Sequence, residues 1–335
     1  MHVLVTGGLG FIGSNFIRYL SSQNKVTKIT NLDKMSIGAN LANLMDIDKK
    51  NYRFIKGDIC DKKIVNKLLS DVDVIINFAA ESHVDRSIAE PSSFYKSNIE
   101  GVFNLLELVR NFKELKFIQV GTDESYGNLL KGSYKEDDRL NPSSPYASSK
   151  ASADMLCLSY HKTYGLDVIV TRCTNNFGPF QFPEKLIPKT IIRANLNLKV
   201  PIYGSGKNIR DWIYVMDHCE ALIKIMEKGV SGEIYNISCG NEIENIEVVE
   251  KILTILDKPK NLIEFVEDRP GHDIRYSLDS SKLRKDFNWV PMYRFSEAIE
   301  ETIAWYLDNE SWWKPLIDER TIHPTPWKLE WNDAH

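Results

Sequence analysis

The chain has 335 residues, 43% of them hydrophobic and 26% charged, and a formal net charge of −4 at pH 7. These values are ordinary for a soluble globular protein, and no dense run of Lys or Arg suggests a nucleic-acid or anionic-membrane surface. No apolar run approaches the ~18 to 20 residues that span a bilayer, and the amino end lacks the pattern of a secretion signal. Five widely spaced cysteines without a CxxC pair indicate reduced thiols and argue against structural zinc. We therefore expect a cytoplasmic protein with no bound metal, no nucleic-acid partner and no membrane partner.

Strands and helices are predicted to alternate through the first half of the chain. Apolar and β-branched runs predict strands at residues 2–8, 28–33, 52–59, 72–80, 116–122 and 166–173. Apolar residues at helical spacing predict helices at residues 11–23, 61–71, 91–112 and 145–165. Such alternation favours right-handed βαβ crossovers and a parallel sheet covered on both faces. We predict an α/β fold in which residues 1–175 form a Rossmann-type doubly wound parallel sheet.

The second half of the chain has a different pattern. After Asn175 the sequence becomes richer in Pro, Gly and isolated charges. We interpret residues 176–335 as a smaller C-terminal α/β lobe, built from loops, that binds the substrate. A segment near 212–238 contains the strand-like run EIYNIS and is expected to return to the main sheet. Tryptophans near the carboxyl end are interpreted as packing anchors: Trp305, Trp312, Trp313 and Trp327.

A glycine motif lies between the first strand and the first helix. Gly7, Gly10 and Gly13 form GxxGxxG, where glycine lets the backbone turn tightly, approach a pyrophosphate and pack the helix on the strand. The helix then presents its N-terminal N–H groups to the phosphates. Asp33 ends the second strand 20 residues after Gly13, and a carboxylate there suits the ribose hydroxyls of NAD and repels the 2′-phosphate of NADP. The alternative is that Asp33 caps a turn, and the neighbouring Lys34 keeps NADP open.

Two later strand ends complete the predicted cofactor site. Asp58 and Ile59 follow the third strand and are placed to hold adenine. The run FAAESH, residues 78–83, ends the fourth strand on the nicotinamide side. Together with the glycine motif, these positions favour NAD as the cofactor.

Candidate proton-transfer residues follow the fifth strand and begin the last helix of the first half. In SPYASSKA, Tyr146 and Lys150 are four residues apart, so their side chains lie on one helix face. A lysine cation near the phenol would stabilise phenolate and make Tyr146 a base at neutral pH. Thr122, at a strand end, can hydrogen-bond the same substrate hydroxyl. The adjacent Asp123 and Glu124 are either a solvated turn or a proton donor and acceptor.

At this point the chain resembles the extended short-chain dehydrogenase/reductase family, and within it the dTDP-glucose 4,6-dehydratases. The matching motifs are VTGGLGFIGSNF, NLDKMSIGANLANL, FAAESHVDRSI, GTDESYG, SPYASSKA, RCTNNFGPFQFPEKLIP, PIYGSGKNIRDWIYV and DRPGHDIRY. The adjacent Asp–Glu pair is typical of the dehydratase branch. Ser125 departs from the family, which usually has a β-branched apolar residue there, and the GTDE and DKMSIGAN segments also differ.

The resemblance implies a redox-neutral dehydration of a nucleotide-activated hexose, with NAD as a returning cofactor. Tyr146 would take the proton of the 4-hydroxyl, Glu124 would remove the C5 proton, and Asp123 would protonate the departing 6-hydroxyl. Two adjacent carboxylates in an enclosed site are expected to have pKa values pushed apart. The product would be a 4-keto-6-deoxy sugar.

The resemblance also implies two sets of binding residues. The cofactor set comprises Gly7, Gly10, Phe11, Ile12, Gly13, Asp33, Lys34, Ser36, Asp58, Ile59, Phe78, Ala79, Ala80, Ser82, Ser97, Tyr146, Lys150 and Asn176. The substrate set comprises Ser82, Thr122, Asn175, Glu184, Lys185, Pro201, Tyr203, Arg210, Asn245, Arg269, His272 and Tyr276.

Some members of the substrate set have simpler alternatives. Arg210 is interpreted as a diphosphate clamp, because a guanidinium pairs with phosphate oxygens in bidentate fashion, but it could form a surface ion pair with Asp211. His272 could be a hydrogen-bonded loop histidine. His83 and Asp85 are rejected as a metal site or a catalytic triad, since no third ligand or nucleophile converges on them.

A homodimer is also expected. The helix at 91–112 has an apolar stripe of Ile99, Val102, Phe103, Leu106 and Val109, and a second stripe begins with Leu105 and Leu108. The helix at 145–165 likewise has a second apolar face, at Met155 and Leu158. A helix with two apolar faces packs on its own sheet and on a second partner, and the resemblance implies a four-helix interface between subunits. Periodicity alone also allows a monomer with thicker internal packing.

Rival functions remain open. A UDP-sugar 4,6-dehydratase differs only in substrate, whereas a UDP-sugar 4-epimerase or decarboxylase needs no acid at a leaving 6-hydroxyl. A non-catalytic NAD-binding regulator would not need the complete set of proton-transfer residues. The motifs do not decide between thymidine and uridine, or between a 2-hydroxyl and a 2-acetamido group.

Overall fold

The computed structural model describes residues 1–23 and 26–331, so positions 332–335 of the predicted second domain lie outside the described residues. The strands are β1 His2–Thr6, β2 Lys28–Asp33, β3 Tyr52–Lys56, β4 Val74–Asn77, β5 Lys116–Thr122, β6 Val168–Cys173, β7 Asn175–Phe177, β8 Val200–Tyr203, β9 Ile209–Tyr214, β10 Ile234–Ile237, β11 Glu242–Glu244 and β12 Ile263–Val266. The helices are α1 Phe11–Ser21, α2 Lys62–Leu68, α3 Val84–Ala89, α4 Ser92–Tyr95, α5 Gly101–Val109, α6 Pro145–Tyr164, α7 Leu186–Asn195, α8 Val215–Lys228, α9 Asn245–Ile255, α10 Ser281–Phe287, α11 Phe295–Asp308 and α12 Glu310–Trp313. A π-helical stretch, Lys96–Glu100, joins α4 to α5.

The central sheet has seven strands in the order β10-β6-β5-β4-β1-β2-β3, and every pairing in it is parallel. One face is covered by α1 and α8, whose apolar side chains pack with those of the strands. The other face is covered by α2, α5 and α6. The predicted Rossmann-type doubly wound sheet is confirmed. Its carboxyl-terminal edge is where ligands bind in such folds.

Helix α6 shows how the local sequence sets the position of a functional residue. The side chain of Ser144 accepts a hydrogen bond from the N–H of Ala147, and Pro145 occupies the first turn, both of which favour a helix start. Gly165 ends the helix in the left-handed conformation, at φ 69°. The start signal places Tyr146 in the first turn, next to the carboxyl ends of β5 and β6.

The second half of the chain is not built from loops, and that expectation was wrong. Helices α7, α9 and α11 pack around a core with β7 and β9, and the small sheets have the orders β11-β9-β7 and β12-β8. Apolar pairs four residues apart, such as Val248 and Ile252 or Ile299 and Ile303, are buried on these helices. The Pro and Gly residues that suggested loops lie mainly between the elements.

Parts of the second half pack on the central sheet. Strand β10 pairs with β6, with Ile234 opposite Val170. Helix α8 and the side chains of Leu283, Phe287 and Trp289 join the core on the same face as α1. Nothing in the sequence indicated that Leu283, Phe287 and Trp289 pack on the central sheet and not within the smaller lobe.

The predicted apolar stripes on the 91–112 helix are partly wrong. Val102, Leu105, Leu106 and Val109 form the buried face, whereas Phe103 is 41% exposed. Leu105 faces the sheet in place of Phe103 because the ordinary i, i+3, i+4, i+7 spacing of α5, counted from Val102, puts Leu105, Leu106 and Val109 on one face and leaves Phe103 beside it.

The carboxyl-terminal tryptophans pack as anchors. The rings of Trp305 and Trp312 meet those of Phe180 and Tyr306, and Trp312 Nε1 donates a hydrogen bond to Asn43 Oδ1 at 2.8 Å. In the part of the chain that the structure describes, no helix combines the length and the apolar character that crossing a membrane requires.

Candidate active site

The glycine motif brings three segments of backbone into close contact. Gly7 has φ +69°, and a Cβ there would lie 2.6 Å from the amide nitrogen of Ala79. A Cβ on Gly13 would lie 2.5 Å from the carbonyl oxygen of Gly7. Gly10 is the N-cap residue of α1 and forms no side-chain cap. The start of α1 is therefore a cradle of main-chain N–H groups that suits a pyrophosphate.

A cleft of ≈ 270 Å³ opens above this cradle. Every residue of the predicted cofactor set lines it, from Gly7 at the start of the chain to Asn176 after β6. Thr122, Asp123 and Glu124 line the same cleft.

Asp33 and Lys34 explain how the cleft would distinguish dinucleotides. Asp33 accepts backbone hydrogen bonds from Leu9, at 2.9 Å, and Met35, at 2.7 Å. It therefore does cap a turn, as the alternative required. Each of its oxygens still has a second lone pair that can accept a hydrogen bond from a ribose hydroxyl. Lys34 Nζ donates to Ser97 Oγ at 2.6 Å and pairs with Glu81 at 3.2 Å. Glu81 neutralises the charge of Lys34, so this lysine is not left as an unpaired cation to bind the 2′-phosphate of NADP. The Asp33 carboxylate is free to bind the ribose hydroxyls of NAD.

A second cavity of ≈ 160 Å³ lies between the central sheet and the smaller lobe. Every residue of the predicted substrate set lines it except Ser82 and Thr122, which line the cofactor cleft. The residues that line both are Glu124, Asn175, Asn176, Gln181, Glu184 and Lys185. The two spaces therefore meet beside Glu124.

The Asp123–Glu124 pair lies where these spaces meet, and it is not a solvated turn. Strand β5 ends at Thr122, and the pair begins a 3-10 turn, Asp123–Tyr126. Asp123 is 3% exposed. Its Oδ1 accepts a hydrogen bond from Thr122 Oγ1 at 3.1 Å, while Oδ2 has no partner among residues 1–23 and 26–331.

Burial separates the roles that the two carboxyl groups can take. Burial and then the adjacent Glu124 carboxylate raise the pKa of Asp123 from its ordinary value of 3.8 to about 8. Burial also raises the pKa of Glu124, but the cations of Arg269, Arg210 and Lys185 oppose that shift. Asp123 is therefore the group that stays protonated at neutral pH and can donate a proton.

Tyr146 and Lys150 are both buried in the cofactor cleft, but their electrostatics differ from the expectation. Lys150 Nζ donates to the carbonyl oxygen of Val120 at 2.6 Å. Burial, and then Glu124, raise the pKa of Tyr146 well above its usual range, and a hydrogen bond to Thr122 only partly offsets this. The surroundings that the chain itself supplies therefore favour the neutral phenol.

Arg210 is a buried residue of the second cavity, and the surface ion pair with Asp211 is wrong. Arg210 is 4% exposed, its guanidinium donates to the carbonyl oxygens of Ile209, Asp273 and Ile274, and it lies 4.2 Å from the centre of the Tyr276 ring. The Asp211 carboxylate accepts instead from the N–H groups of residues 239–241.

His272 has a local partner, as the simpler alternative required, and it also lines the second cavity. Its Nδ1 lies 2.6 Å from Asp268 Oδ1. Burial, with the nearby Arg269 and Arg210, lowers its pKa to about 4. The imidazole is therefore neutral at physiological pH and can still offer Nε2 to a ligand.

Several buried polar atoms of the second cavity have no hydrogen-bond partner within the described ranges. Burying such an atom unpaired costs free energy, so a cluster of them indicates a polar ligand. They belong to residues lining the cavity: His83 Nε2, Asn175 Oδ1, Gln181 Oε1, Trp212 Nε1, Asn245 Oδ1 and Arg269 Nε.

Sequence reasoning missed a buried charge network beside the site. Arg86 donates to Glu81 at 3.0 Å and to Glu184 at 3.3 Å and 3.4 Å, and all three residues are almost fully buried. Lys189 lines the second cavity, and so do His83 and Asp85, which were considered only as metal or triad residues. The available signal was the density of charges in ESHVDRS directly after a buried strand.

Comparisons with known proteins find 4,6-dehydratases that are similar to this chain over nearly its whole length. The family model described as GDP-mannose 4,6 dehydratase matches residues 4–302. The dTDP-glucose 4,6-dehydratase of Streptomyces niveus is 44% identical over 331 residues, which cover 97% of this chain and 98% of that protein.

Two solved structures of dTDP-glucose 4,6-dehydratases are also similar to this chain. The dTDP-glucose 4,6-dehydratase of Bacillus anthracis in complex with NAD has a TM-score of 0.89 and 48% identity, and the match covers 95% of this chain and 100% of that one. The dTDP-glucose 4,6-dehydratase of Streptomyces venezuelae with NAD and TYD bound has a TM-score of 0.92 and 42% identity, with the same coverage.

Proposed function

The chain belongs to the dTDP-glucose 4,6-dehydratase family, and from this membership we propose that it is an NAD-dependent hydro-lyase. It converts dTDP-glucose to dTDP-4-keto-6-deoxyglucose and water. The observation that carries the proposal is the buried Asp123–Glu124 pair, in which Asp123 is protonated at neutral pH beside a potential base. That combination suits an elimination that needs an acid and a base on one substrate.

The chain's own residues supply the binding and the proton transfers. The glycine cradle, Asp33 and the Asp58–Ile59 segment would hold NAD, which would supply the hydride chemistry of the reaction, between C4 and C6 of the sugar. The chain alone favours the neutral phenol of Tyr146, so its ionisation depends on the positive charges of Lys150 and of the bound nicotinamide; the phenolate then takes the proton of the 4-hydroxyl.

The elimination then uses the carboxyl pair. The 4-ketone acidifies the C5 proton, and Glu124 removes it. Asp123 donates its proton to the departing 6-oxygen, so that water leaves. Once hydride has been returned to C6, C5 takes back a proton, for which Glu124 is the donor. The burial that keeps Asp123 protonated also excludes the bulk water that would compete for this proton transfer.

The rival reactions make less use of this geometry. A 4-epimerase or a decarboxylase has no leaving 6-hydroxyl, so a buried carboxylic acid beside Glu124 would serve no step. A regulator that only binds NAD would need neither this acid nor the buried Tyr146. Both remain alternatives to the proposed lyase and are outcomes of the same experiment.

A competition assay tests the reaction and the substrate together. Purified protein is incubated with dTDP-, UDP- and CDP-glucose and with an N-acetylglucosamine analogue, and 4-keto-6-deoxy product is measured by its alkaline absorbance. We expect dTDP-glucose to be preferred. Product from the UDP-sugar alone would make the protein a UDP-sugar dehydratase, and no 4-keto-6-deoxy product from any of them would favour the two rivals, the epimerase or decarboxylase and the regulator.

We further propose that the protein is a cytoplasmic homodimer. Tyr95 is 69% exposed, Met155 58% and Phe103 41%; Tyr95 and Phe103 line a surface cleft between the π-helical stretch and α6. Covering these apolar side chains with a second copy would form a four-helix interface. Light scattering of the wild type and of Phe103→Asp tests this, with a dimer and a monomer expected respectively. A monomeric wild type would contradict it.

A further inference from the structure

Asp85 lies in the first turn of α3, on the central-sheet side of the second cavity, and is 1% exposed. Both of its carboxylate oxygens are used. Oδ1 accepts from Arg269 Nη1 at 2.9 Å, and Oδ2 accepts from the Tyr203 hydroxyl at 2.8 Å.

Both partners of Asp85 come from the smaller lobe. Tyr203 ends β8, and Arg269 lies in the segment after β12, which pairs with β8. Asp85 is thus held by two side chains that are 118 and 184 residues away in sequence. All three residues line the second cavity.

The contact uses one N–H of Arg269 and leaves other donors of the guanidinium for a ligand. Nη1 donates to Asp85, whereas Nε is buried and has no acceptor among the described residues. A guanidinium is planar, so fixing Nη1 also fixes the direction of the Nε–H bond. Without Asp85 the long arginine side chain would have to be ordered by the ligand itself, at the expense of affinity.

His83 in turn fixes the position of Asp85. It is the N-cap residue of α3, and its Nδ1 accepts a hydrogen bond from the N–H of Asp85 at 3.2 Å. This bond ties the start of the helix to a buried imidazole.

We propose that Asp85 is a positioning residue of the nucleotide-sugar site, which sets substrate affinity by holding Arg269 and Tyr203 in their binding orientation. It does not contact the substrate phosphates, because a buried carboxylate whose two oxygens are already occupied would repel them. The inference rests on the proposed function, since it concerns the binding of that substrate.

The test compares Asp85→Asn with a matched control, Asp217→Asn. Asp217 is also 1% exposed and also uses both oxygens, for the N–H groups of Met292 and Tyr293, but it lines neither cavity. Steady-state kinetics with dTDP-glucose and calorimetric binding of dTDP are measured for both, with thermal unfolding to establish that each is folded.

For Asp85→Asn we expect the KM for dTDP-glucose and the Kd for dTDP to rise by about 10- to 100-fold, because a buried charge-assisted contact is lost. The value of kcat should stay within about threefold, because Asp85 is absent from the proton-transfer set. Asp217→Asn should lower the melting temperature without changing KM. Equal KM changes in the two variants, or none in Asp85→Asn, would overturn the proposal.

A double variant shows whether Asp85 acts through Arg269. Arg269→Met should raise KM, and adding Asp85→Asn should raise it by no more than about twofold further, because the two changes remove one interaction. A fully multiplicative effect would contradict the inference. If Asp85→Asn does not fold, Asp85→Glu keeps the charge but moves the carboxylate by one methylene group, which should displace Arg269 and Tyr203 and raise KM; a KM equal to that of the wild type would then overturn the proposal.

The two proposals can fail separately. A wild-type protein that binds dTDP but forms no 4-keto-6-deoxy product contradicts the proposed reaction and leaves the binding comparison in place. A wild type that forms product, with Asp85→Asn unaltered in both KM and Kd, contradicts only the role of Asp85.

Discussion

The cofactor cleft and the nucleotide-sugar cavity are built in different ways. The cleft depends on backbone geometry: Gly7 and Gly13 are positions where a Cβ would meet main-chain atoms at 2.6 Å and 2.5 Å. The cavity depends on buried charged side chains from distant segments, such as Asp85, Arg210 and Arg269. The first is therefore sensitive to the volume of a substituted side chain, and the second to its charge.

The difference follows from the chemistry of what each space binds. A pyrophosphate needs closely spaced N–H donors, which a glycine loop and a helix start supply without side chains. A sugar and its phosphates need directional donors and acceptors, and those must be paired or neutralised when they are buried. Substitutions that change side-chain volume should therefore affect mainly the cofactor cleft, and substitutions that change charge should affect mainly the nucleotide-sugar cavity.

The largest effect is expected where the two spaces meet, at Tyr146. Tyr146→Phe removes the hydroxyl that accepts the substrate proton and should lower kcat by about 10²- to 10⁴-fold. Binding of NAD and dTDP should change little, because the ring and its edge contact with Phe94 remain. Calorimetry and a product assay measure both, and more than a tenth of the wild-type kcat would rule out the role.

Asp123→Asn should have the next largest effect on activity. The amide cannot donate a proton in the same way, so kcat should fall about 10²- to 10³-fold, while oxidation at C4 continues. In a single turnover, reduced nicotinamide should accumulate and be measured by its absorbance.

For the wild type, kcat should decline above pH 8, since Asp123, with a pKa of about 8, then loses the proton it donates. Unaltered dehydration in both Asp123→Asn and Glu124→Gln would contradict the assigned roles.

Asp123→Asn should also be more stable to unfolding than the wild type, and the difference should grow as the pH rises. Between pH 4 and pH 8 the folded wild type holds a proton on Asp123 that the unfolded chain has lost, because the folded pKa is raised to about 8. The free energy of unfolding of the wild type therefore falls as the pH rises from 4 to 8. Asparagine does not titrate, so the variant does not lose this stability. Urea unfolding should show a gain of about 1–4 kcal/mol at pH 8 and none below pH 4; a pH-independent difference would be inconsistent with this linkage.

Gly7→Ala tests the backbone side of the contrast. Its φ of +69° and the approach of Ala79 leave no room for a methyl group, so we expect about 10- to 100-fold weaker NAD binding and a loss of about 1–3 kcal/mol in stability. Gly165→Ala is the matched control, because Gly165 has the same φ of +69°, its Cβ position has no described atom within 4 Å, and it does not line the cleft. A comparable loss of NAD binding in both variants would mean that the loop is not limited by volume.

The smallest effect is expected at Ser125. Its side chain is fully buried, and Oγ has no hydrogen-bond partner in the described part of the chain. Ser125→Ala should therefore raise the free energy of unfolding by about 0.5–1.5 kcal/mol, with kcat changed by less than about twofold. Calorimetric melting decides this, and a destabilised variant would show that the hydroxyl has a partner.

Much of the molecule was readable from local pattern. The parallel sheet follows from alternating apolar runs, and the cofactor cleft follows from glycine spacing and a carboxylate at the end of β2. The helical core of the second lobe was missed, because Pro and Gly at the joints of α7, α9 and α11 drew attention away from their apolar pairs. The exposure of Phe103 was missed because it was grouped with Val102, whereas the buried face of α5 runs from Val102 through Leu105 and Leu106 to Val109.

The sequence by itself determined the fold class, the glycine cradle and the identities of the residues that meet in the two cavities. Only the tertiary structure decided their ionic states and partners. In the folded chain Asp123 is buried, which raises its pKa to about 8. Lys150 donates a hydrogen bond to the Val120 carbonyl. Asp85 contacts Arg269, which is 184 residues away in sequence. The physical reason is that spacing along a chain fixes which edge of the sheet a side chain reaches. The energy of a charge depends on burial and on neighbours that only folding assembles.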